Sequence, residues 1–205
     1  MTVMDPNAVM KELKDGNTRF ANGETIHSAE SSLAKLKDFS KTGQFPKAIV
    51  LCCSDSRAPV ELIFDQDIGD LFVIRVAGNI VAPSLVGSVE YATSMFGTSL
   101  VLVMGHTQCG AIRATLSSIE KAETFSENIN DIVKRIRPHI FTIAKNKNTL
   151  DADKMAQAIE ANVRASVGQL ETSSQLIEEL VRKGKMHIQG AVLNLDTGFV
   201  EFLEM

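Results

Sequence analysis

Uninterrupted apolar runs punctuate the first half of the chain at Ala48 to Cys52, Leu71 to Ile74 and Leu100 to Met104. Short runs without polar alternation fit strands buried on both faces, as in a parallel sheet. Between the last two, Val86, Val89 and Met95 recur at helical spacing, and Gly97 stops the pattern. Upstream, Asp5-Pro6 reads as an N-cap and a first-turn proline, with Val9, Leu13 and Phe20 on one face of a helix that ends near Gly23. Residues 24–45 are polar and mixed, which predicts a short helix plus loop. Helical patterns resume at about 128–145 and 151–182, the second broken near Thr172-Ser173-Ser174. His187 to Leu193 and Phe199 to Leu203 then read as strands joined by the turn Asp196-Thr197-Gly198.

Strands alternating with helices predict an α/β fold, a mainly parallel central sheet flanked by helices. To it are added an N-terminal helical arm and a C-terminal strand extension. The 205 residues contain no repeat, low-complexity tract or linker. We therefore read one domain over 1–205, with 1–45 as arm and 46–205 as α/β core and extension. Such an arm either embraces a partner subunit or packs on its own core.

A formal charge of −4 gives no general attraction to nucleic acid or anionic membrane, so neither is expected as a partner. The basic cluster Lys134-Arg135 with Arg137 fits a solvated helix face. The stretch Met1 to Pro6 lacks a positive start followed by an apolar core, and no apolar run is long enough to span a bilayer. Three cysteines, two of them adjacent, make no disulfide framework and point to a reduced, cytoplasmic setting. These thiols are then core fillers, metal ligands or nucleophiles.

Two stretches follow apolar strands: Cys53-Ser54-Asp55-Ser56-Arg57 and Gly105-His106-Thr107-Gln108-Cys109-Gly110. Ligands of open parallel sheets collect beyond the carboxyl ends of strands. If the two strands are neighbours, Cys53, His106 and Cys109 converge there. The spacing His-x-x-Cys is expected to place two ligands on one face at a helix start, and a third from another strand completes a Cys₂His set. Such a set suits zinc and leaves a fourth tetrahedral position for water or substrate. A redox pair is the main competitor, although adjacent Cys52 and Cys53 make a strained one. Cys52, His27, His139 and His187 read as packing or surface residues.

These two stretches closely resemble the paired signature of the β-class carbonic anhydrases. The resemblance runs from about Gly16 to the C-terminus. It includes Gly43-Gln44-Phe45-Pro46-Lys47, Gly69 to Arg75, Ala77-Gly78-Asn79 and Gly87 to Ala92. It implies reversible hydration of carbon dioxide to bicarbonate and a proton by zinc-bound hydroxide, with one Zn²⁺ per chain held by Cys53, His106 and Cys109. It implies that Asp55, paired with Arg57, accepts a hydrogen bond from the zinc-bound group, and that Gln44 donates to a substrate oxygen. In a closed state of some members, the Asp becomes the fourth ligand. Phe72, Ala77, Tyr91 and the backbone N–H of Gly110 correspond to the substrate pocket. The family builds its sites at a dimer interface, which implies a homodimer or a dimer of dimers. The chain carries Val50 where members with a regulatory bicarbonate site have tryptophan, and its Gln44 resembles the plant-like type.

Two rival functions share these residues. One is a hydrolase of carbonyl sulfide or carbon disulfide on the same metal. The other is a non-catalytic zinc-bound bicarbonate sensor, against which the retention of Asp55, Arg57 and Gln44 argues.

Overall fold

The computed structural model describes residues 4–205; Met1 to Val3, part of the stretch read above for a leader, lie outside the described residues. In chain order the elements are α1 (Pro6–Asn22), α2 (Ala29–Thr42), β1 (Ala48–Cys52), α3 (Val60–Ile63) and β2 (Leu71–Arg75). A 3-10 turn (Ala77–Asn79) precedes α4 (Pro83–Phe96), β3 (Leu100–His106), α5 (Gly110–Glu120) and α6 (Glu127–Lys145). Then come α7 (Asp151–Glu171), α8 (Gln175–Arg182), β4 (His187–Leu193) and β5 (Val200–Phe202). The predicted boundaries hold closely, including the Asp5 cap and the stops at Gly23 and Gly97. Residues 24–45 carry a longer helix than expected, α2 with 14 residues, and α3 leaves no periodic signal because it is one turn long. Met95 keeps helical spacing in α4 yet is exposed.

The sheet order is β2-β1-β3-β4-β5, parallel throughout except for the β4–β5 pair. All five residues of β1 and all seven of β3 are buried, which is why these segments read as continuous apolar runs rather than alternating ones. One face of the sheet, carrying Val50, Leu102 and Ala191, packs on Val9 and Leu13 of α1 and on Val60, Ile63 and Phe64. The other, carrying Ile49, Leu51, Val101 and Val103, packs on Val89 and Ala92 of α4 and on Val163, Val167 and Leu170 of α7. A third cluster, Ile112, Ile136, Ile140 and Ile159 with Cys53 and Cys109, covers the carboxyl ends of β1 and β3. Among the described residues, no helix is long and apolar enough to cross a membrane.

The arm is split in its behaviour. Helix α1 lies on its own core, and a buried polar residue fixes it there. Asn17 Nδ2 donates to the carbonyls of Ile63 (3.1 Å) and Gly198 (2.9 Å), and its Oδ1 accepts from Val200 N–H (2.8 Å). Asn is a poor helix former in mid-helix, and here it ties three segments together. Asn17→Ala is expected to destabilise the protein by about 3 kcal/mol, since it leaves buried backbone groups without partners. A urea midpoint that falls at constant m would show it. Helix α2 instead leaves Leu33 and Leu36 exposed and is held by polar contacts, Lys35 Nζ to Asp70 Oδ1 (3.2 Å) among them.

Candidate metal centre

Strands β1 and β3 are neighbours, with Cys52 level with Met104, so the residues that follow emerge at one edge of the sheet. Strand alternation separates the adjacent cysteines. Cys52 faces the core under α1, while Cys53 faces the cluster beneath α5, α6 and α7. Burial pushes the Cys52 thiol up to about 12, so it remains a protonated core residue. His106 is the last residue of β3, still level with Leu193 of β4, and Cys109 is the N-cap of α5. The expected placement of both on one face at a helix start is therefore corrected. Pairing with β4 keeps the chain extended through His106, and the tight turn at Gln108 (φ 59°) then carries Cys109 back beside it.

The ligand atoms of Cys53, His106 and Cys109 lie within 4.8 Å of one another, and all three residues are buried. His106 Nδ1 sits 2.9 Å from the Thr107 carbonyl, which only accepts, so that nitrogen carries the proton. The other, Nε2, is buried and has no hydrogen-bond partner among the described residues. The Cys53 sulfur accepts from the Gly78 N–H at 3.3 Å. The Cys53 thiol is pulled down to about 4, chiefly by the hydrogen bond from Cys109, against burial and with help from His106 and Gly78. That same pairing, with burial, pushes Cys109 well up. For His106, burial pushes the imidazole down but the neighbouring Cys53 sulfur outweighs it. Two buried sulfurs and one orphaned imidazole lone pair form a donor set that fits zinc. Tetrahedral zinc places S and N ligand atoms roughly 3.5–3.8 Å apart, within the spread seen here.

Beside this cluster, Arg57 grips Asp55 in a two-pronged fork, Nε to Oδ1 at 2.9 Å and Nη2 to Oδ2 at 2.8 Å, and the Arg57 N–H adds a third bond. The fork holds the Asp55 carboxyl well below the usual carboxylate range despite some desolvation. Asp55 Oδ2 lies 3.7 Å from His106 Nε2, so the carboxylate borders the cluster while turned toward Arg57. Arg75, at the end of β2, donates to the carbonyls of Cys53 (3.1 Å) and Asp55 (2.6 Å) and so straps this loop. Arg75 closes one of the blocks that carry the family resemblance, which implies no task for it. Its position one strand end away, level with Cys52, is the signal that identifies it.

The remaining predicted site residues divide. Ala77 opens the 3-10 turn whose Gly78 touches Cys53, and Gly110 begins α5 directly after Cys109. Both are at the cluster. Phe72 pairs with Ile49, four residues short of Cys53, which puts it roughly 13 Å away along the sheet. It stacks with Tyr91 and Phe96 (ring centroids 6.3 and 6.1 Å) on the α4 side. Gln44 precedes β1 in a loop whose Pro46 carbonyl accepts from Thr98 Oγ1 (2.9 Å), just ahead of β3, at the amino end of the sheet. Phe72 and Tyr91 therefore do not meet the cluster of their own chain.

An α/β sheet thus carries at its carboxyl edge a Cys₂His cluster that fits a zinc site, beside an Asp–Arg pair, the architecture of a metal-site enzyme. The family model described as carbonic anhydrase matches residues 48–200. The carbonic anhydrase of Mycolicibacterium smegmatis is 36% identical over 197 residues, covering 96% of this chain and 93% of its own. The solved β-carbonic anhydrase CcaA superposes with a TM-score of 0.76 at 25% identity, over 96% of this chain and 95% of that one. One of two β-carbonic anhydrases from Sordaria macrospora, solved as tetramers, shares the fold at 21% identity and a TM-score of 0.76, over 97% and 98% of the chains. The chain belongs to the β-class carbonic anhydrase family.

Proposed function

We propose that the protein hydrates carbon dioxide reversibly to bicarbonate, using one zinc ion per chain held by Cys53, His106 and Cys109. The observation that carries this reading is the buried Cys₂His cluster with an orphaned His106 Nε2 beside the Asp55–Arg57 fork. Zinc at that place supplies the Lewis acidity that makes hydroxide available from water near neutral pH. The protein's own groups then set the geometry. Asp55, kept ionised by Arg57, accepts a hydrogen bond from the attacking hydroxide and turns its lone pair toward carbon. Thr107 fixes the His106 tautomer and Gly78 steadies the Cys53 sulfur. The Gly110 N–H stands in the first turn of α5, where backbone donors have no partner within the helix, and faces the charge that grows on the substrate oxygens. Ala77 lines the apolar side of the same space.

Gln44, Phe72 and Tyr91 act, in this reading, in the site of a second copy, so the working unit is at least a homodimer. The exposed apolar residues Phe45, Tyr91 and Met95, on the same amino-end and α4 side, supply surface for that contact. We read the whole chain as one domain, its 1–45 segment an arm laid on the core. The free thiols at the metal cluster fit a reducing, cytoplasmic setting.

Stopped-flow carbon dioxide hydration on metal-analysed protein tests the assignment, with one zinc per chain and fast turnover expected. Zinc without hydration would sink it. The shared site has its own test. Gln44→Ala is expected to lower kcat/KM by about 10²-fold, the scale for one lost donor to a developing oxyanion. Co-assembled with Cys109→Ala, it should recover up to about a quarter of wild-type activity, because half of randomly mixed dimers hold one complete site of two. No recovery on mixing would place Gln44 outside the partner's site.

A further inference from the structure

The turn Ala77–Asn79, which presents the Gly78 N–H to the Cys53 sulfur, is itself held from far away in the chain. Asn162 Nδ2 donates to the Gly78 carbonyl at 2.8 Å across 84 residues, and Ser166 Oγ donates to the Asn79 carbonyl at 3.0 Å across 87. Both side chains project from α7, one turn apart, and both residues are 2% exposed. We propose that Asn162 and Ser166 are positioning residues of the metal site, acting through this turn on Cys53. The inference rests on the zinc reading above.

The turn needs holding. Gly78 (φ 72°, ψ 19°) and Asn79 (φ 42°) are consecutive left-handed residues, an arrangement that side-chain-bearing residues avoid. The Gly78 position is also crowded, since a Cβ there would stand 2.8 Å from Ile136 Cδ1. Without its two carbonyl anchors, one on each side of Asn79, the turn has more usual conformations open to it. Those conformations carry the Gly78 N–H off the sulfur. The N–H···S bond draws charge from a ligating thiolate and fixes the direction of its lone pairs. Outer partners of metal ligands of this kind typically contribute about 10–100-fold in metal affinity.

Helix α7 reaches the turn because the residue before His106 is glycine. A Cβ on Gly105 would meet Val163 Cγ2 at 2.7 Å, so the bare backbone of β3 lets α7 lie close. Gly105 thus seats on one strand end both a ligand's neighbour and the helix that braces another ligand. An alternative role for Asn162 and Ser166 is simply to satisfy two buried carbonyls. That role predicts lower stability and an unchanged metal site.

The experiment compares the zinc-loaded wild type with Asn162→Leu, Ser166→Ala and Val167→Ala at one fixed pH. Val167 is a buried apolar residue of α7 with no hydrogen bond to the turn. Zinc release to a chromogenic chelator is timed, and the thiolate-to-metal absorption of the cobalt(II)-substituted proteins is recorded. Asn162→Leu should release zinc about 10–100-fold faster and shift the cobalt band, and Ser166→Ala should do the same to a smaller degree. Val167→Ala should lower the melting temperature with release and spectrum unchanged. If Asn162→Leu does not fold, Ser166→Ala decides alone. Unchanged release and spectrum in the folded variants, or equal changes in Val167→Ala, overturns the proposal. A wild type that takes up no zinc overturns the metal reading and the proposal together.

Discussion

Cys109→Ala should abolish stoichiometric zinc binding and reduce carbon dioxide hydration by at least ~10³-fold, the scale of losing metal activation of water. The substitution is mild because Cys109 makes no side-chain cap hydrogen bond at the start of α5, and what its sulfur gives up is weak: the contact with Cys53 and the pull of the Ala111 and Ile112 N–H groups. Its thiol occupies little volume, and truncation costs roughly 1 kcal/mol in packing at such a site. The folded structure therefore survives while the metal loses one of three ligands. Circular dichroism and the urea midpoint, compared with the metal-free wild type, should show a fold retained. Metal analysis and stopped-flow hydration should show the site gone. Hydration at the wild-type rate without zinc would contradict the reading at its base. Prolonged chelation of the wild type should reproduce the mutant's inactivity and, unlike the mutant, be reversed by added zinc.

The elements of this fold were legible where a single physical cause governed them. Buried-on-both-faces strands write themselves as apolar runs, and the bounds of β1 match the sequence reading residue for residue. The helix caps at Asp5, Gly23 and Gly97 are local events and were equally readable. The ligand set was visible as residue types after strand ends. The choice between Cys52 and Cys53 was not visible from periodicity, because a strand apolar on both faces has no polar side to mark the register. The resemblance chose Cys53, and the structure gives the reason in the opposite directions of the two side chains. What stayed hidden depends on distant pairing. Asn162 and Ser166 stand in a helix with mixed polarity, and only the close approach permitted by Gly105 brings them to the turn beside Cys53. The resemblance assigns Phe72, Tyr91 and Gln44 to the pocket, but one chain places Phe72, with Tyr91 against it, near the amino end of its own sheet, away from its own cluster.

Asp55→Asn should lower kcat/KM by about 10²–10³-fold while leaving zinc at one per chain, within the range for a positioned proton acceptor. The two side chains have nearly the same shape, so packing is not the issue. In the native loop both carboxylate oxygens face the Arg57 fork, and Oδ2 also borders the cluster, 3.7 Å from His106 Nε2. An amide cannot satisfy both demands. If its oxygen stays with Arg57 Nε, its NH₂ meets a second guanidinium donor and presents hydrogens to the site, so nothing accepts from the attacking hydroxide. If it rotates, the fork is broken and the side chain loses its fixed direction. Arg57→Lys probes the same unit more gently. It keeps the positive charge but not the planar pair of donors, and a loss of about tenfold is expected where orientation rather than charge is impaired. Retained zinc separates these effects from ligand loss. A drop in zinc content for Asp55→Asn would make Asp55 a metal ligand, and wild-type kcat/KM with zinc in place would remove it from the chemistry altogether.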